Sequence, residues 1–532
     1  MNERKLKPLL DTMKEYGLRR EVDPPVVLAG FLKRSWSHKL SQTKGESGTR
    51  DKISRFLIQE PCDEVDERIK VSGNKGDAVE ILIHFLRQIL WTNPGAFIKR
   101  MNKKESKEIS REEKNIENLL RSITYNPFNR HLLEGKISGN LQIGQTLYEC
   151  LNDALKNDKE KMDKIRDRLN TLEGHREVEE TIIETLFQSH TSDTDGNGNS
   201  NTELSISPVV PGNAKHYTSL FKQLGADLLA LLELDIPLLS KSRILLYLEK
   251  ITNLYALLYY LRIICKKTDP QPGSLPPGEQ PLILPLCSNE LDDRFKDYSD
   301  TCFQLYRQVS ENFWREYLGK KVGDNAKCLG CSGKDPFKIL EEFCKNENFI
   351  SIFGQMGKKS LDNLKEEIEN SLGLLQDSSL PSHVNKFTEA YLIYNLKGQR
   401  TLGRMKRILD WQGAGAGIVA PEKAKGKHFH LKPELLEMLV IIFYSRNRHQ
   451  QDMLSLRNFI AEIRQKYGII LGPSGKLEAA LKKQDLPVPP PSLLKKNFGH
   501  LISMLMNLNM LERLSDKAMF IKCPFPLRKE EQ

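Results

Sequence analysis

The chain has 532 residues, with 80 Lys and Arg against 70 Asp and Glu, and 39% of its residues are hydrophobic. That balance excludes a disordered or fibrous protein, and the length corresponds to about three or four domains of roughly 150 residues each. Nine cysteines in so long a chain are too sparse, and odd in number, for a disulfide scaffold, so reduced thiols are expected.

The first residues, MNERKLKPLL, carry charges and no apolar segment of signal-peptide type. The most apolar long stretch, Ile244 to Cys265, is interrupted by Glu249, Lys250 and Arg262, which argues against a membrane span. A cytoplasmic protein without membrane contact is the expectation.

In chain order, residues 1–190 read as a helical domain. Ala78–Trp91 has apolar residues at helical spacing, Lys103–Arg121 is charged and helical in pattern, and Asp158–His190 is long and laced with both signs of charge. Residues 191–213, rich in Ser, Thr, Asn, Asp and Gly, form a flexible linker. A second helical domain spans 214–410. Its segments Ala226–Leu234 and Ile244–Cys265 are apolar around most of their circumference, which suits the middle of a bundle or a surface for a partner helix. Asp362–Leu374 and Asn385–Leu396 add two amphipathic helices. A proline-rich loop at 269–285 interrupts this domain as a stiff, extended connector. Residues 411–428, small at the start and basic at the end, read as a Gly/basic hinge. The fold class is therefore mainly α: a multi-domain helical body leading into a different kind of C-terminal domain at 429–532.

The charge is unevenly spread. Residues 391–532 hold 24 Lys and Arg against 12 Asp and Glu, a net +12, whereas the preceding 390 residues are close to neutral. An asymmetry of this kind points to nucleic acid, the alternative being a solvated basic surface. Within this region Lys432-Pro433-Glu434 is a good helix start, followed by Leu435, Leu436, Met438, Leu439, Ile442 and Phe443 on one buried side. Ser455 is a plausible N-cap for a second helix with Leu456, Phe459, Ile460, Ile463 and Tyr467, stopped by Gly468. A short helical segment fits Lys476–Lys483. A third long helix starts at Ser492, with Leu494, Phe498, Leu501, Ile502, Leu505 and Leu508 on its apolar side. Lys496, His500, Ser503 and Asn507 lie opposite, with Lys495 beside them. Two short apolar runs around Ser515-Asp516-Lys517 then suggest a hairpin carrying Arg513, Lys517 and Lys522.

Helix, helix, helix, basic hairpin is the order of a winged-helix domain. In that class the recognition helix enters the major groove, and the cations of the hairpin lie along the phosphates. The DNA-binding candidates are thus Lys495, Lys496, His500, Ser503, Asn507, Arg513, Lys517 and Lys522. Winged helices also serve as protein-docking modules, and the polar stripe is equally compatible with a solvated face.

GAGAGIVAPEKAKGKHFHLKPELLEMLV, LRNFIAEIRQKYGIIL and LMNLNMLERLSDKAMFIK together resemble the C-terminal part of accessory proteins of bacterial phage-defence loci, most nearly those of phosphorothioation-dependent DNA restriction systems. The resemblance covers about 120 residues. It implies a component acting beside an ATPase and other large partners, and it transfers no functional residue.

Other motifs yield less. Cys328-Leu-Gly-Cys331 lacks a second ligand pair at zinc spacing; a half knuckle completed by Cys344 or Cys302 and two unrelated loop thiols are the alternatives. Gly413–Gly417 (GAGAG) matches neither a P-loop nor a dinucleotide fingerprint. His430-x-Lys432 with Glu437 echoes a phosphodiesterase pattern, but Glu replaces Asp and Pro433 places the group at a helix start. Glu112-Glu-Lys114 has no strand to carry a nuclease site. No positioned acid, base or metal set emerges, so no catalytic residue, cofactor or metal ligand is expected. The expectation is a non-enzymatic accessory protein of a restriction or defence complex that contacts duplex DNA. The alternative is a scaffold docking an ATPase or nuclease partner without touching DNA.

Overall fold

The computed structural model describes residues 142–174, 210–235, 241–269, 280–287, 293–345, 358–375, 380, 382–396, 401–421, 426–450, 454–514 and 518–525, with short pieces between residues 9 and 32. The expected helix Ala78–Trp91, the stretch Lys103–Arg121 with Glu112, residues 175–190 of the expected stretch Asp158–His190, nearly all of the 191–213 linker, and Lys517 lie outside these residues.

The described part is mainly helical. It begins with α1 (Gln142–Ala154), α2 (Lys159–Gly174), α3 (Thr218–Leu232) and α4 (Lys241–Ile264). Next come α5 (Asp293–Cys328), α6 (Pro336–Lys345), α7 (Lys358–Gly373), α8 (His383–Leu396), α9 (Thr401–Lys406) and α10 (Ile408–Ala416). After a strand pair, β1 (Val419–Ala420) with β2 (His428–Phe429), follow α11 (Pro433–Asn447), α12 (Leu456–Tyr467), α13 (Leu477–Lys482) and α14 (Pro491–Asn507). The hairpin β3 (Leu511–Arg513) and β4 (Met519–Ile521) closes the order.

α4 is the axis of the core. Tyr247, Leu254, Tyr255, Leu257, Leu258, Tyr259 and Tyr260 are all buried, so its apolar circumference is covered on every side. Core packing, not a partner surface, is what α3 and α4 provide. Each such side chain contributes about 1.5–3 kcal/mol by leaving water.

α10 lies against α4, and the described residues of 411–428 run on from it. Residues 411–416 finish α10. Gly417 caps it in the left-handed conformation (φ 86°), with its N–H bonded to Gly413 O and Ala414 O. Residues 419–420 then pair with 428–429. The glycines serve close packing: a Cβ at Gly413 would overlap the Val419 side chain and reach Leu257. Lys250, buried on α4, donates to Gly415 O at 2.9 Å, placing a cation at the negative end of α10.

Of the proline-rich connector, residues 270–279 lie outside the described residues. Residues 281–287 form a buried, extended strap between the helical body and the C-terminal elements. Ile283 N–H bonds Gly468 O and Ile470 N–H bonds Ile283 O, both at 2.9 Å. Leu286 N–H bonds Phe429 O at 3.0 Å and Leu431 N–H bonds Leu286 O at 2.7 Å. Gly468 must be glycine twice over. Its φ is 72°, and a Cβ there would overlap the Pro281 carbonyl.

α11 is buried along most of its length and packs on α3 and α4, so the C-terminal elements share the apolar core of the body. A polar cluster sits inside that junction. Asp227 of α3 is fully buried, pairs with Arg446 of α11 at 2.6 Å, and accepts the hydroxyls of Tyr255 from α4 and Tyr467 from α12 (2.7 Å for the latter). Burial raises the Asp227 pKa, and Arg446 opposes that rise. Arg262 makes a second buried pair with Asp269, whose carboxylate also accepts the N–H and hydroxyl of Ser219 at the start of α3. Among the described residues no helix is long and apolar enough to cross a membrane.

Candidate nucleic-acid interface

α14 carries most of the expected site. Pro491 starts it at the first helical position, after an extended Pro490. Leu493, Leu494, Leu501 and Leu505 turn inward, and so does Asn497, which is only 1% exposed. Asn497 Oδ1 accepts the Cys287 N–H at 2.9 Å and its Nδ2 donates to Pro285 O at 3.1 Å. One side chain thereby satisfies two buried backbone groups of the strap and fixes the rotation of the helix. Sequence pattern does not reveal it, because an asparagine within an apolar stripe gives no sign of which partner it finds.

The outer face follows from that rotation. Lys495, Lys496, Ser503 and Asn507 are exposed and His500 is half-buried. At 100° per residue Lys496, His500, Ser503 and Asn507 share one side. The 17 residues of α14 include no acid. Ser503 is less available than its pattern suggests, since its hydroxyl donates to Gly499 O at 3.2 Å, one turn back.

The hairpin stands beside this helix. Leu511 pairs with Ile521, Glu512 with Phe520 and Arg513 with Met519. Arg513 is exposed and Lys522 is half-buried just past β4. An antiparallel bridge joins Ser455 to Phe520, so the start of α12 forms a third, minimal edge to the hairpin. Ser455 caps α12 as expected, its Oγ accepting the Asn458 N–H at 3.2 Å. The bridge brings up Arg457, an exposed cation in the first turn of α12 that is absent from the expected set. Nothing local distinguishes it from a solvated helix residue. Arg457, Lys495 and Lys522 have no side-chain partner among the described residues, whereas Lys466 and Lys482 are paired with Glu462 and Glu478. Two apolar side chains share the region: Met506 on α14 is 53% exposed and Leu514, just past β3, is 66% exposed.

The other motifs do not assemble a site. Glu437 is committed to Arg243 at 2.6 Å, and Arg243 also donates to Tyr247. His430 is buried just past β2, its Nδ1 unpartnered, and desolvation with nearby His428 and Lys432 pushes its pKa down to about 4. A neutral, walled-in imidazole fits the core better than the phosphodiesterase-like pattern. Cys328 is exposed at the end of α5 and Cys331 is buried just beyond it. Among the described residues no three His, Cys, Asp or Glu side chains are grouped as metal ligands.

No family model matches the chain, and neither a curated protein nor a solved structure is found to be similar to it.

Proposed function

We propose that the protein is a non-enzymatic accessory component of a bacterial DNA restriction or phage-defence complex, cytoplasmic in location, that contacts duplex DNA through a C-terminal winged helix within 429–532. The observation that carries this reading is the acid-free outer face of α14, with Lys495 and Lys496 exposed beside a hairpin bearing Arg513 and Lys522. The winged-helix assignment is supported by the order α11, Ser455 edge, α12, α14, β3, β4, with α13 inserted before α14. The defence assignment rests on the sequence resemblance alone.

Because α11 is packed on α3 and α4, the test uses the whole chain. Binding to a labelled duplex should be steeply salt-dependent. Lys495→Glu with Lys496→Glu should weaken it at least about 10-fold at low salt and flatten the log–log salt slope by about 1 for each phosphate no longer neutralised. Failure of the 532-residue chain to bind duplex at low salt would remove the DNA contact.

Exposed Met506 and Leu514 favour a second reading, a scaffold that docks an ATPase or nuclease partner through the same face. A partner that stays bound through nuclease treatment and high salt, and is released by Met506→Glu, would favour that reading.

A further inference from the structure

Gly499 lies in the middle of α14 with ordinary helical geometry. It is exposed, and a Cβ placed there would meet no atom within 4 Å. Neither backbone conformation nor packing within the chain calls for glycine. A glycine inside a helix is also unfavourable compared with alanine, because it leaves more backbone freedom to be lost on folding. Its place on the face is specific. Lys495 and Lys496 stand one turn before it, and Ser503 stands one turn after it. The Ser503 hydroxyl is folded back onto Gly499 O, so it adds little height to the surface. Met506 and Asn507 form the far rim and are exposed. The result is a notch in the helix surface with cations on one side. A partner can come closer to the helix axis there by roughly the thickness of a side-chain layer, about 3 Å.

We infer that Gly499 is the point where duplex DNA comes closest to α14, and that its side chain is absent for the partner and not for the fold. The inference rests on the proposed DNA contact. The occupant is chosen by charge complementarity: the helix carries two exposed lysines and no acid, and a phosphodiester duplex is the matching polyanion.

The experiment measures melting temperature and duplex affinity at fixed low salt for the 532-residue chain as wild type, Gly499→Ala, Gly499→Gln and Gly319→Ala. Gly319, inside α5 and away from this face, is a matched control, since its added Cβ would make only an ordinary 3.8 Å contact with Thr388. Both alanine variants should melt about 1–2 °C higher, as helix propensity predicts. Gly499→Ala should nevertheless bind DNA about 5-fold more weakly, and Gly499→Gln more weakly still, with Gly319→Ala unchanged. Wild-type affinity in Gly499→Ala and Gly499→Gln would overturn the inference while leaving the DNA contact standing. A lower melting temperature for Gly499→Ala would also overturn it, by showing that the glycine serves the fold. If wild type itself binds no duplex, the DNA contact and this inference fall together.

Discussion

Replacing Arg446 by Met should be among the most damaging single changes at the junction of the body and the C-terminal elements. Asp227 is wholly buried, and the Arg446 guanidinium at 2.6 Å is its only cationic partner at ion-pair distance among the described residues. Met fills similar space but leaves the carboxylate facing two phenol hydroxyls, Tyr255 and Tyr467, inside the core. Stranding one member of a buried pair costs about 3–5 kcal/mol, while replacing both members is often near neutral. Arg446→Met should therefore lose that amount in urea denaturation followed by far-UV circular dichroism, and Asp227→Asn with Arg446→Met should recover most of it. The pH dependence has a definite sign. Burial already raises the folded pKa of Asp227 above its unfolded value, so ionising it works against the fold as pH rises. Without Arg446 that pKa rises further, and the penalty in Arg446→Met should shrink as the solution is acidified and Asp227 takes up a proton. A single-variant loss below about 1 kcal/mol, or a double variant no more stable than the single, would refute this account of the cluster.

Asn497→Leu keeps the branched shape, with somewhat more bulk, but strands the Cys287 N–H and the Pro285 carbonyl; a loss of about 2–4 kcal/mol and faster hydrogen exchange at Cys287 are expected, and unchanged protection of that amide would count against the strap. His430 has its folded pKa down at about 4 against an ordinary 6.5, so the folded state binds fewer protons between these values. The stability it contributes is present above pH 6.5 and is lost as pH falls toward 4, by up to about 3 kcal/mol. His430→Gln should flatten the urea midpoint over that window, and a variant with the wild-type slope would place the titrating group elsewhere.

The C-terminal elements are the most legible in the sequence, because their start and stop signals are local chemistry. Lys432-Pro433-Glu434, the Ser455 cap and Gly468 set the start of α11 and both ends of α12 within a residue of expectation. The 36-residue α5 is not apparent from periodicity, since its buried residues, from Phe295 through Trp314 to Ala326, are diluted among charges that face solvent. The Gly-rich stretch is ambiguous for a related reason. Small residues permit either freedom or close approach, and only the presence of α4 beside Gly413 decides which.

The candidate interface divides in the same way. Periodicity places Lys495, Lys496, His500, Ser503 and Asn507 on one side of a helix. It does not foresee that Ser503 turns back on Gly499, that Asn497 ties the helix to the strap, or that the Ser455–Phe520 bridge brings in Arg457.

By itself, then, the amino-acid order determined the mainly helical class, the start of α11 and the ends of α12, and the concentration of positive charge in the last quarter of the chain. These depend on neighbours within a turn or two, or on a simple count. The tertiary structure decided that the strap at 281–287 is buried between the body and the C-terminal elements, and that Asp227 and Arg446 meet from distant parts of the sequence. It also decided that α11 of the C-terminal elements is packed on α3 and α4. Those outcomes turn on which distant groups can satisfy a buried charge or backbone amide, and no local pattern encodes them.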